Sequence, residues 1–140
     1  MDPVVHFEMP YENRARMVRF YSEVFGWSAQ LYGDEVGNYA VVTTARSDVK
    51  SDAPRGAING GFYQKRADWP AQYPSIVIGV ADIRESMRKV AGAGGRVLGE
   101  PMPIPDVGHY VSFFDTEGNR ASMLQPLSSA AERKASVGER

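Results

Sequence analysis

The chain has 140 residues, 43% hydrophobic and 24% charged, the balance of one folded domain rather than a disordered segment. Sixteen lysines and arginines oppose 17 acidic residues for a formal net charge of -1, which argues against a dedicated nucleic-acid binder. Cysteine is absent, which excludes a disulfide scaffold, a thiolate zinc site and a cysteine nucleophile.

The longest apolar run, Ile76–Ala81, is far below the roughly 20 residues of a membrane span. No apolar segment of signal-peptide type follows Met1-Asp2-Pro3, so the expectation is a soluble cytoplasmic protein without nucleic-acid or membrane partners. Val4–Met9 reads as a first strand, ended by Pro10, with Val5, Phe7 and Met9 on one face and Val4, His6 and Glu8 on the other. A helix is expected over Asn13–Phe25. Its apolar stripe is Met17, Phe20, Tyr21 and Val24, its solvated face carries Arg14, Arg16 and Arg19, and Gly26 stops it. Trp27–Tyr32 and Tyr39–Thr43 read as short strands around a turn at Gly33-Asp34, and Trp27 is expected to pack. Thr44–Arg55 is a polar loop long enough to be a lid, or simply a surface loop, before a fourth strand at Ala57–Tyr63.

After a linker the order begins again. Ser75–Val80 is a strand, and Asp82-Ile83-Arg84-Glu85 is a capping box. Ile83, Met87 and Val90 make a second apolar stripe, and Gly94-Gly95 stops that helix. Arg96–Gly99, His109–Phe114 and Arg120–Gln125 supply three strands, the last two joined by a tight turn at Asp115-Thr116-Glu117-Gly118. Strand–helix–three strands thus occurs twice, the copies 71 residues apart when Met9 is aligned with Val80. The expected fold is α+β, two tandem βαβββ modules at about 3–63 and 74–126, with a flexible tail over 128–140. Each helix covers one face of its sheet, and the faces left uncovered must meet or line a cavity.

Several stretches resemble the vicinal oxygen chelate superfamily of glyoxalases, bleomycin-resistance proteins and dioxygenases. They are Val5-His6-Phe7-Glu8-Met9-Pro10, Phe20–Trp27, Ile58-Asn59-Gly60-Gly61-Phe62, Gly94–Val97, Pro101–Pro105 and Phe114–Asn119. Thr116 replaces the proline usual in that last turn. The resemblance spans about residues 3–126 and implies a curved, cup-shaped mixed sheet around a ligand site, commonly in a homodimer. It also implies a divalent metal held by four positions, two per module. Here those positions carry His6, the stretch Asn59–Gly61, Val77 and Ser122, so His6 is the only retained ligand. Too few donors remain for a metal site, whereas the bleomycin-resistance branch binds its ligand without a protein metal. The expectation is therefore no resident cofactor and a small organic ligand. The alternative is a metal-dependent glyoxalase-like lyase, isomerase or dioxygenase.

Individual residues carry open alternatives. His6 and Glu8, two apart on a strand, are either a base with its orienting carboxylate, two ligand contacts, or a satisfied buried pair. His109 is either a second imidazole in the cleft or an exposed residue at a strand start. Tyr39, Asn59, Tyr63 and Ser122 are candidate ligand contacts, with tyrosine packing the competing reading for Tyr39 and Tyr63.

Overall fold

A computed structural model describes residues 1–45 and 56–127. Most of the lid candidate Thr44–Arg55 and the whole 128–140 tail lie outside them. The chain divides into two compact units, Val5–Ser75 and a second made of Met1–Val4 with the chain from Ile76 onward. The fold is α+β, and each unit carries one βαβββ module.

In the first unit, β1 (Val4–Tyr11), α1 (Arg14–Phe25), β2 (Ser28–Leu31), β3 (Ala40–Thr43) and β4 (Gly60–Gln64) follow in order. The strands lie side by side as β2-β3-β4-β1, with β1 and β4 parallel and the other neighbours antiparallel. Pro10 does not end β1, as the sequence reading expected; the strand runs through it to Tyr11. The ladder explains this. Phe7 N–H donates to Asn59 O at 3.4 Å and Lys65 N–H to Tyr11 O at 2.9 Å, so odd-numbered residues of β1 face β4. The nitrogen of Pro10 points the other way and costs this ladder no hydrogen bond.

Asn13 caps α1, its side-chain oxygen accepting from Arg16 N–H at 3.0 Å, and Gly26 closes it in the left-handed region at φ 73°. The inward stripe differs from the one expected. Met17, Val18 and Tyr21 pack on the core of Tyr11, Ala40, Val42 and Phe62, whereas Phe20 and Val24 are more than half exposed. Trp27 turns back beyond the cap and stacks on Tyr21 at 4.7 Å, packing as expected. The true stripe begins at Arg14, one turn earlier. Instead of lying in solvent, its guanidinium donates to the carbonyls of Tyr32 (2.7 Å) and Asn38 (3.0 Å) and ties down the β2–β3 connection.

In the second unit, β5 (Ser75–Gly79), α2 (Ile83–Gly92), β6 (Arg96–Ile104), β7 (Gly108–Phe114) and β8 (Arg120–Pro126) repeat the pattern in the order β5-β8-β7-β6. Again the first and last strands are parallel. Ile83, Val80, Val111 and Met123 form the core, with Met87 and Val90 of α2 against it. Only half the capping box exists: Asp82 accepts from Glu85 N–H at 3.1 Å, but the Glu85 carboxylate takes Arg88 at 2.7 Å. Ile83 N–H is satisfied by Gln125 Oε1 at 2.9 Å. β6 runs past its expected end at Gly99 to Ile104. It is the outer strand of this unit's sheet, so Pro101 and Pro103 break no inner ladder, and its register shifts between Leu98 and Met102.

Candidate functional site

In the first unit the core takes Phe7, Met9 and Tyr11 from β1. Alternation therefore puts His6 and Glu8 together on the face opposite α1. Tyr39 joins them. Its phenol lies 3.1 Å from His6 Nε2 and donates to Glu8 Oε2 at 3.1 Å.

The glycine pair at 60–61 makes room for this arrangement. A Cβ on Gly61 would fall 1.8 Å from the Tyr39 hydroxyl and 2.1 Å from its ring carbon Cζ, so the phenol occupies the volume of a side chain. On the other face, the ring of Phe7 fills the same kind of gap at Gly60, 2.5 Å from where a Cβ would stand. Each glycine lets an aromatic ring cross the strand, one toward the core and one toward the polar trio.

Glu8 is buried at 8% relative exposure and has to be satisfied by hydrogen bonds to persist there. Half-buried His6 has its imidazole pKa held below the usual histidine range by desolvation, so the ring is neutral near pH 7. The trio is thus a buried carboxylate, a phenol and a neutral imidazole in one chain of hydrogen bonds. Its chemistry is hydrogen bonding and proton exchange with a polar group placed beside His6. Tyr63 stands two residues beyond Gly61, hence on the same face, with the Trp69 ring tilted against it at 6.3 Å and the Arg66 guanidinium over that indole at 5.1 Å.

Asn59 has another task. Its amide oxygen accepts from Thr44 N–H at 2.8 Å and Ala45 N–H at 2.9 Å, while Thr44 Oγ1 donates to Ile58 O. It is a clip between two chain segments, and β4 starts at Gly60 rather than at Ala57.

Within the second unit, Tyr110, Ser112 and Ser122 share the face opposite α2. The Tyr110 and Ser122 hydroxyls are 2.7 Å apart, those of Ser112 and Ser122 2.9 Å, and Arg120 donates to Ser112 Oγ at 3.4 Å. Ser122 pairs in register with Val77, both almost fully buried. His109 is not part of this group. Strand alternation puts it with Val111, on the side of α2, and it is exposed; Tyr110 takes the inward position instead. Sequence reading found Ser122 and missed Tyr110 and Ser112, although both alternate with Val111 and Phe113.

Two open depressions of about 400 and about 290 Å3 lie where β1 and β4 end, between Glu12 and Lys65, and neither is lined by His6, Glu8 or Tyr39. Their linings mix charged chains, among them Lys65 and Glu12 3.8 Å apart, with Gln72, Tyr11 and Met17.

The duplicated βαβββ module defines a class of α+β proteins. The chain belongs to the Glyoxalase/Bleomycin resistance protein/Dioxygenase superfamily, whose family model matches residues 4–123. It is 29% identical over 115 residues to a glyoxylase-like domain-containing protein of Didymella fabae, covering 80% of this chain and 84% of that one. Among solved structures it resembles a hypothetical protein of Bacillus halodurans C-125 (TM-score 0.67, 12% identity, 92% of this chain and 97% of that one). It also resembles methylmalonyl-CoA epimerases. One, solved with methylmalonyl-CoA and NH4+, gives a TM-score of 0.66 at 18% identity over 91% of this chain and 96% of that one. Another, from Mycobacterium tuberculosis, gives 0.64 at 13% over 91% and 90%.

The residues at the four metal positions do not fit an ion. Nε2 of His6 is engaged by Tyr39, the Asn59 oxygen by two backbone N–H groups, and the Gly61 gap by a phenol. Val77 has no donor atom and Ser122 is bound in a hydroxyl cluster. Among the described residues no group of three or more His, Cys, Asp or Glu side chains converges. A metal site requires about three or four such donors.

Proposed function

We propose that this protein binds a small organic molecule on the face of its first module opposite α1, using His6, Tyr39 and Glu8 as polar contacts and no protein-held metal. The observation that carries the reading is Tyr39: its ring fills the Gly61 gap and its hydroxyl joins the imidazole to a buried carboxylate. Three polar groups held in one fixed geometry beside the Tyr63–Trp69 aromatic pair suit an organic ligand with a polar handle. The metal-dependent lyase, isomerase or dioxygenase reading lacks support from the donor set. A homodimer and residence in the cytoplasm belong to the same proposal; no helix among the described residues is long and apolar enough to cross a membrane.

The test is a thermal-shift screen of small organic compounds, followed by calorimetry on each hit. A hit should bind at least about tenfold more weakly to the His6→Ala, Glu8→Ala double variant, the loss of one or two hydrogen bonds. Equal affinity for both proteins would refute the site. One tightly held transition metal per chain by elemental analysis would refute the metal-free part.

A further inference from the structure

The trio also specifies which polar group a ligand presents, an inference that rests on the proposed binding face. An ionised carboxylate only accepts hydrogen bonds, and a phenol has one proton to give. Tyr39 donates that proton to Glu8 Oε2. Its oxygen is then left to accept, and the imidazole nitrogen 3.1 Å away, Nε2 of His6, has to carry the hydrogen. A neutral imidazole with Nε2 protonated has its lone pair on Nδ1. Among the described residues His6 is hydrogen-bonded through Nε2 and no partner stands at Nδ1.

We infer that Glu8 and Tyr39 lock His6 as its Nε2–H tautomer, and that the bare Nδ1 recognises ligands through an O–H or N–H donor such as an enol, a phenol or an amide. For the contact at Nδ1, Tyr39 is a positioning residue, since it acts there through His6. The direction of the chain is set by Glu8 Oε2 accepting from Tyr39. With a proton on Glu8 every hydrogen bond would reverse, Tyr39 would donate to Nε2, and the hydrogen would move to Nδ1. The tautomer therefore reports the whole relay.

Nitrogen-15 NMR of the full chain, labelled at histidine, reads it directly. The chain has two histidines, and a His109→Gln variant assigns the pair. The expected result is Nε2 protonated and Nδ1 bare near pH 7. In Tyr39→Phe, which keeps the ring, the ratio of the two tautomers should fall about tenfold, the equivalent of one hydrogen bond. Protonated Nδ1 as the principal form, or an unchanged ratio in Tyr39→Phe, overturns the lock.

The selectivity is tested with phenol and with anisole, which has the same ring but no O–H. Phenol should move the Nδ1 resonance and anisole should not. Equal movement by both, movement confined to Nε2, or none at millimolar phenol overturns the donor preference. None of these spectra depends on the compound screen, so failure of the binding-face proposal and failure of the tautomer lock remain separate results.

Discussion

Placing a methyl group on Gly61 tests whether the Tyr39 relay is built into the sheet. The new Cβ would stand 1.8 Å from the Tyr39 hydroxyl, 2.1 Å from Cζ and 2.3 Å from Cε1. Gly61 itself cannot retreat, because it is buried and paired with Glu8 on one side and Val41 on the other. Ordinary contact begins near 3.4 Å, so the phenol ring has to withdraw by more than an ångström. That movement takes the hydroxyl out of reach of both His6 Nε2 and Glu8 Oε2, now 3.1 Å away. Losing one neutral hydrogen bond and one to a buried carboxylate costs about 2–4 kcal/mol, and displacing a packed ring adds about 1 kcal/mol or more. With a urea slope of about 2 kcal/mol/M, Gly61→Ala should lower the unfolding midpoint by roughly 1.5–2.5 M. The same substitution in a Tyr39→Ala background, where the space is already open, should cost less than about 1 kcal/mol. A single Gly61→Ala variant within about 0.3 M of the parent would refute the reasoning, as would an equal penalty in both backgrounds.

Other outcomes follow from particular contacts. Gly108 has φ 148° and a Cβ there would fall 2.0 Å from the Gln125 carbonyl oxygen, so Gly108→Ala should lose more than about 3 kcal/mol or fail to fold, checked by circular dichroism and urea melts. Asn13→Ala and Asp82→Ala each remove a helix N-cap and should cost about 1 kcal/mol, additively in the double variant because they cap different helices. Burial depresses the pKa of His6 in the folded chain, so the unfolded state binds the proton first as pH falls. Stability should be fully present above about pH 6.5 and decline below it, and urea midpoints at pH 7.5 and 5.5 should differ less in His6→Gln. Light scattering at micromolar concentration should return twice the chain mass, as the proposed homodimer requires, and a monomer would count against it.

Much of the fold was legible in the sequence because its signals are local. Apolar alternation, the caps at Asn13 and Asp82 and the stop at Gly26 each act within a few residues, so the elements and their duplication could be read along the chain. The errors came where a distant partner decides. Arg14 looked like a solvated charge until the carbonyls of Tyr32 and Asn38 came within reach, and the stripe of α1 that meets the core is Met17, Val18 and Tyr21, not Phe20 and Val24. His109 and Tyr110 are neighbours in sequence, and only the pairing of β7 with β8 settles which one shares a face with Ser122.

The site divides the same way. Period-two alternation on one strand is enough to place His6 and Glu8 together. That Tyr39 stands between them, in the gap left by Gly61, depends on β1, β3 and β4 lying side by side, with more than thirty residues of chain separating the phenol from its partners. Sequence therefore determined which polar side chains leave the core. Tertiary structure decided which of them bond to one another, because a hydrogen bond needs about 3 Å between atoms and no local pattern encodes that distance across strands.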